Sequence, residues 1–161
     1  MSSKKFKSKK SWREKVNEIE GKIVEITPEW EKRYGKGKLL IPKALNIEQL
    51  INRTAKGDLI THDQIRDNLA TKANVQATCP LTTGIFLRII SEASEEERPV
   101  KKEKVTPYWR VLKGDGLLNS KFPGGLENQV KLLESEEHNI EFNKTGSKAK
   151  AANFENYLVK L

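Results

Sequence analysis

A single cysteine, Cys79, occurs among 161 residues. No intramolecular disulfide can form, which suits a reducing compartment. Histidine is almost as scarce: His62 and His138 lie far apart, and with one cysteine they leave no zinc-ligand spacing. Long apolar runs are missing as well. The longest, around residues 85–90, is far shorter than a bilayer span, so no membrane role is expected. The basic start, Met1-Ser2-Ser3-Lys4-Lys5, has no apolar segment behind it and does not read as a secretory signal. Gly35 and Gly37 lack the spacing and the Lys-Ser/Thr ending of a phosphate loop. No paired carboxylates or nucleophile–base constellation stands out. The expectation is a non-enzyme without cofactor or metal.

Positive charge is what the chain has in excess. Thirty Lys and Arg face 22 Asp and Glu, a formal net charge of +8. An excess of this size favours a polyanionic partner, although a basic surface can also serve solubility alone. Hydrophobic residues make up 36% of the chain, enough for one modest core but not for burying all of it. Residues 1–10 carry Lys4, Lys5, Lys7, Lys9 and Lys10 with no acidic neighbour. They read as a flexible basic arm, either reaching for phosphates or simply solubilising.

Residues 11–45 read as an N-terminal helical extension. Ser11 caps a helix with Glu14 at the capping-box position, and Trp12, Val16 and Ile19 share one face. Gly21 ends it. Residues 23–26 suggest a short strand, and 29–38 a charged loop or frayed helix. Residues 46–53 give a helix with Ile47, Leu50 and Ile51 inward, closed by Gly57. Thr61 caps the next helix, with Gln64 completing a capping box and Ile65 and Leu69 inward. After an irregular polar stretch, 71–79, Pro80 suits the first position of a third helix. Leu81, Ile85, Phe86, Ile89 and Ile90 give that helix a broad apolar face, with Thr82, Thr83 and Arg88 expected to point away. It is expected to dissolve in the charged run 95–99. Two helices joined by a polar turn form a helix-turn-helix pattern, which many all-helical cores share.

The β-branched and aromatic run 105–112, a turn at Lys113-Gly114-Asp115-Gly116, and Leu117-Leu118 suggest a hairpin, the wing of a winged helix. A helix over 126–137 follows, with Leu126, Val130 and Leu133 on one stripe. Residues 143–161 read as a basic tail ending in a short helix that carries Phe154, Tyr157, Leu158 and Leu161. The fold expected is mainly α with a small β-hairpin, a winged helix-turn-helix over 46–142.

Several short motifs, in order, carry a resemblance. Residues 57–65 (Gly-Asp-Leu-Ile-Thr-His-Asp-Gln-Ile), Pro107-Tyr108-Trp109-Arg110-Val111, Gly124-Gly125-Leu126, Leu132-Leu133 and Glu136-Glu137-His138 fall where a known family has its own signatures. Together they make residues 48–142 resemble the DNA-binding domain of the alkylguanine-DNA alkyltransferase family (methylated-DNA–protein-cysteine methyltransferases). The resemblance implies DNA as partner, a monomer, and alkylated-base recognition in repair.

The departures are chemical. The family signature reads Pro-Cys-His-Arg-Val. Its cysteine takes the alkyl group, the histidine activates the thiol through water, and a glutamate orients the histidine. Here the cysteine position is Tyr108 and the histidine position Trp109, and only Glu136 matches the third member. A phenol with a pKa of about 10 is a poor nucleophile at neutral pH. Alkyl transfer should be absent, as in divergent alkyltransferase-like members without the cysteine. Cys79 lies before the recognition helix and reads as a small cap residue rather than a substitute nucleophile. Tyr108 and Trp109 either stack a base or plug the old pocket as core, with Arg110 in a structural role. The family's phosphate-rotating tyrosine corresponds to His62. Its intercalating arginine falls near Thr82 and Thr83, and the nearest arginine, Arg88, is one to two turns later.

DNA contacts are therefore expected from His62, Thr82, Thr83, Arg88 and Lys113, in a cytoplasmic protein associated with the nucleoid. An alternative is an interaction module for RNA or a protein. The acidic patch 92–97 favours it, because it would repel a nearby phosphate backbone.

Overall fold

The computed structural model describes residues 10–161. The basic arm expected over 1–10 lies almost wholly outside them. Six α-helices and seven short strands follow in the described chain: α1 (Trp12–Glu18), β1 (Lys22–Glu25), α2 (Pro28–Tyr34), β2 (Lys38–Ile41), α3 (Ala44–Ile51), β3 (Ile60–Thr61), α4 (His62–Ala73), β4 (Ala77–Thr78), α5 (Pro80–Lys101), β5 (Val111–Leu112), α6 (Gly125–Ser135), β6 (Ile140–Phe142) and β7 (Ala149–Ala151).

The helix-turn-helix pair is α4 and α5. Thr61 Oγ1 accepts from the Gln64 amide at 3.1 Å, and the Gln64 side chain accepts from the Thr61 amide at 3.0 Å, so the expected capping box is complete. Asn74 ends α4 in the left-handed conformation (φ 53°), a role asparagine fills at little cost. The polar connection is not irregular throughout: Ala77 and Thr78 form β4, parallel to β2 and on the far side of β2 from its antiparallel partner β1. This small sheet carries α2, a helix where a loop or frayed helix was expected, to the start of α5.

The third helix does not dissolve at 95–99. It continues through Pro99 to Lys101. Pro99 lies in the last turn, where it removes only one backbone bond. The charged run is paired: Arg98 with Glu95, and Lys101 with Glu97. Residues 11–45 do not form a separate appendage. Val16 is fully buried in the same core as Ile47, Ile51, Leu87 and Ile90. Arg13 binds Glu48 through two bonds, 2.7 and 2.9 Å, and reaches Glu97 at 2.6 Å, tying α1 to α3 and α5. Ser11 caps α1 as expected, but the helix ends at Glu18 rather than at Gly21.

The expected hairpin over 105–118 is displaced. Only Val111 and Leu112 pair as strand, and they pair in parallel with β3. Pro107 offers no ladder donor, and Tyr108–Arg110 turn into one 3-10 turn. The hairpin is instead β6–β7, in register Ile140↔Ala151 to Phe142↔Ala149. Leu117 bridges to Lys150 on its outer side. All of β7 thus lies in the stretch expected as tail. Ala149, Ala151 and Phe154 join the core, and Leu158 bridges to Leu59. The last expected helix is one 3-10 turn, Phe154–Tyr157, whose Tyr157 stays exposed. Gly116 (φ +87°) has the Phe154 ring against its α-carbon: a Cβ there would come within 2.4 Å of the ring.

Candidate nucleic-acid interface

The positions matching the family's reactive cysteine and histidine are core. Tyr108 is fully buried, and Trp109 is 8% exposed. Their rings meet edge to face at 5.5 Å, and Phe122 packs edge-on to Tyr108 at 5.3 Å. The Tyr108 hydroxyl donates to Glu95 Oε1 at 2.6 Å and accepts from Asn128 Nδ2 at 3.0 Å. Burial, reinforced by the hydrogen bond to Glu95, pushes this phenol well above its ordinary pKa.

Glu136 accepts from three residues. Trp109 Nε1 donates to it at 2.6 Å, the Gly57 amide at 2.9 Å, and the Arg110 guanidinium at 2.9 and 3.0 Å. Desolvation alone would raise its pKa, but the bonds from Arg110, Gly57 and Trp109 outweigh it and hold the carboxylate below its usual range. Arg110 also donates to the Thr54 carbonyl at 2.7 Å. The four positions Tyr108, Trp109, Arg110 and Glu136 thus converge as a satisfied polar layer under the core. Of the two roles open to Tyr108 and Trp109, this geometry favours plugging.

A cavity of about 450 Å³ opens instead on the outer face of α5. His62 from the start of α4, Arg88 from α5 and Lys113 from the turn after β5 all line it, so three expected contact residues come together. Two do not. Thr83 is fully buried, its hydroxyl donating to the Cys79 carbonyl at 2.7 Å. Thr82 is half-buried and turns its hydroxyl to the same carbonyl at 3.4 Å. The Cys79 carbonyl, which already accepts the Thr83 backbone amide at 3.1 Å, takes both threonine hydroxyls as well, at i−3 and i−4. Cys79 itself caps α5 without a side-chain hydrogen bond.

The cavity also uses residues the sequence reading assigned elsewhere or missed. Leu81 and Ile85, expected inward, are 68% and 48% exposed and form its apolar wall. The inward stripe of α5 is Thr83, Leu87, Ile90, Ser91 and Ser94. An apolar face too broad for one helical stripe was the available signal. Trp12 and Lys121 complete the rim, and nothing in their sequence neighbourhood marked them.

His62 is largely buried, and its Nε2 has no hydrogen-bond partner. Desolvation, aided by the positive charges of Arg66 and Lys113, pushes its pKa down to about 4. The imidazole is neutral at neutral pH and keeps an unused polar atom beside the cavity. The acidic run within α5 is occupied: Glu95 binds Arg98 and Tyr108, Glu96 accepts from the backbone amide of Trp12, and Glu97 binds Arg13 and Lys101. Its repulsion of phosphate is correspondingly reduced. Among the described residues, no cluster of three His, Cys, Asp or Glu could hold a metal, and no helix is long and apolar enough to cross a membrane.

No family model matches the sequence, and no curated protein matches it. In structure the chain is similar to S. pombe Atl1, solved in complex with damaged DNA containing O6-carboxymethylguanine. The TM-score is 0.50 at 18% identity, over 73% of this chain and 94% of that one. At this identity the likeness speaks for the fold. The chain has the winged helix-turn-helix-like topology of that structure, with helices and a few short strands.

Proposed function

We propose that the chain is an alkyltransferase-like DNA-binding protein without alkyl-transfer chemistry, and that α5 is the helix it lays against DNA. The observation that carries this reading is the 450 Å³ cavity on the outer face of α5. Its wall is apolar, with Leu81 and Ile85, and Arg88, Lys113 and Lys121 stand around it. Apolar lining with a few convergent polar groups suits a flat heterocycle, and the cations suit the phosphates on either side of it. His62, neutral and with its buried Nε2 unpartnered, adds an aromatic ring to the same wall. The cavity, rather than Tyr108 and Trp109, is then where an alkylated guanine would be held. Loss of the thiol–histidine pair removes the chemistry and leaves holding as the activity, in a cytoplasmic, nucleoid-associated setting.

Fluorescence anisotropy against matched duplexes, with guanine or O6-methylguanine at one position and at two salt concentrations, tests the reading. Tighter binding to the methylated duplex supports a lesion sensor. Equal binding that weakens steeply with salt supports lesion-blind association with phosphates. No binding to either sinks the DNA reading. It would favour an RNA or protein partner, for which the exposed Leu81 and Ile85 provide an apolar contact.

A further inference from the structure

A second cleft lies on the other side of Leu81. It encloses about 200 Å³ between α2 and the start of α5, and its walls include Trp30, Arg33, Tyr34, Leu39 and Leu81. Pro80 and Leu81 line both this cleft and the larger cavity, so the two are neighbours on one surface. Trp30 is 45% exposed and stacks on Tyr34, with centroids 5.9 Å apart and planes within 20°. The Arg33 guanidinium lies 5.3 Å from the Tyr34 ring centre. The Tyr34 hydroxyl is buried and has no hydrogen-bond partner. The ring thus backs the indole from within, and its hydroxyl lies away from the cleft surface.

From this geometry we infer that the α2 cleft is a second nucleic-acid contact, in which an unpaired base of the bound strand stacks on Trp30. Two observations point to a base rather than to an aliphatic protein side chain. An exposed indole already held parallel to another ring offers a flat stacking surface. Arg33 sets a cation beside that surface, and Lys32, Lys36 and Lys38 are exposed in the same segment, matching a polyanion. The cleft is smaller than a typical small-molecule pocket and suits one ring system. The inference rests on the DNA reading above and adds a specificity for unpaired nucleotides carried by the N-terminal segment.

The test is anisotropy titration of two fluorescein-labelled duplexes, one fully paired and one carrying a two-thymine bulge. Wild type, Trp30→Ala, Trp30→Phe and Tyr34→Phe are compared. Wild type should prefer the bulged duplex. Trp30→Ala should lose about tenfold on that duplex only, the value of one stacked base, and Trp30→Phe should recover most of it. Tyr34→Phe, which keeps the ring behind Trp30 and deletes only a buried, unbonded hydroxyl, should retain the wild-type preference for the bulged duplex. If Trp30→Ala binds both duplexes as wild type does, or loses equally on both, base stacking at α2 is wrong while the DNA reading stands. If wild type binds neither duplex, both inferences fall together.

Discussion

Arg110 and Glu136 face each other as a forked ion pair, with N–O distances of 2.9 and 3.0 Å. The pair spans the chain from the turn before β5 to the end of α6. It leaves Glu136 committed to structure: the same carboxylate also takes the Trp109 indole and the Gly57 amide. Glu136→Gln keeps the shape but removes the charge opposite a mostly buried guanidinium. The expected loss is about 3 kcal/mol, the range for breaking a buried pair by removing one partner. Urea denaturation read by tryptophan fluorescence checks it. A loss well under 1 kcal/mol would show that the pair is solvated and the layer not structural.

Restoring the thiol should not restore the chemistry. In Tyr108→Cys the new side chain would sit under Phe122 and Trp109, next to an indole that cannot take its proton. Intact-mass measurement after exposure to DNA containing O6-methylguanine should show no alkyl adduct. The variant should also be destabilised by about 3 kcal/mol through the cavity left by the ring. An adduct on the new cysteine would mean that the site remains open to a base.

The helix-turn-helix was legible because its signals are local: the Thr61 capping box and Pro80 at a helix start survive any tertiary context. The hairpin was not, because β-propensity over 105–112 was overridden. Tyr108, Trp109 and Arg110 have better partners in Glu95 and Glu136 than a strand ladder offers, and those partners are distant in sequence. The same applies to α5. Its acidic run reads as a breaker, yet Arg98 and Lys101 pair it along the helix and Arg13, more than eighty residues away, adds a further cation. At the candidate site, the polar members His62, Arg88 and Lys113 were among the expected contacts, His62 through the resemblance and the other two from their places on the helix and the turn. Leu81 and Ile85 were placed inward because a periodic pattern cannot say which part of a wide apolar face stays exposed.

His62 should make stability depend on pH above the range where carboxylates titrate. Its folded pKa of about 4 lies below the ordinary value of 6.5. The unfolded chain therefore binds the proton first as pH falls. Stability from this group is complete above pH 6.5 and declines steadily as the pH falls toward 4. Between pH 6.5 and 5 the loss should be about 2 kcal/mol. His62→Gln should flatten that interval while leaving the steeper acid limb, set by Glu95, Glu97 and Glu136, whose folded pKa values are also depressed. An unchanged slope in the variant would place the titrating group elsewhere.

Arg13 supplies the last test, because it decides whether α1 belongs to the folded unit. It is the strongest partner of Glu48, which is only 7% exposed and otherwise accepts from the Thr106 hydroxyl at 3.0 Å. Removing the guanidinium leaves that carboxylate buried with one neutral donor, and also releases Glu97 to the solvent side. Charge-assisted, two-pronged bonds of this kind are the costly ones to break. Arg13→Ala should cost about 3 kcal/mol in urea unfolding, whereas Lys10→Ala, whose ion pair with Glu18 is exposed at both ends, should cost almost nothing. Arg13→Lys should recover only part of the loss, since a point charge cannot make the two-pronged contact. One cooperative transition shared by all variants fits α1 as part of the core that Val16 joins. An early transition confined to the N-terminal segment in Arg13→Ala would show that α1 and the small sheet with α2 fold apart from the helix-turn-helix.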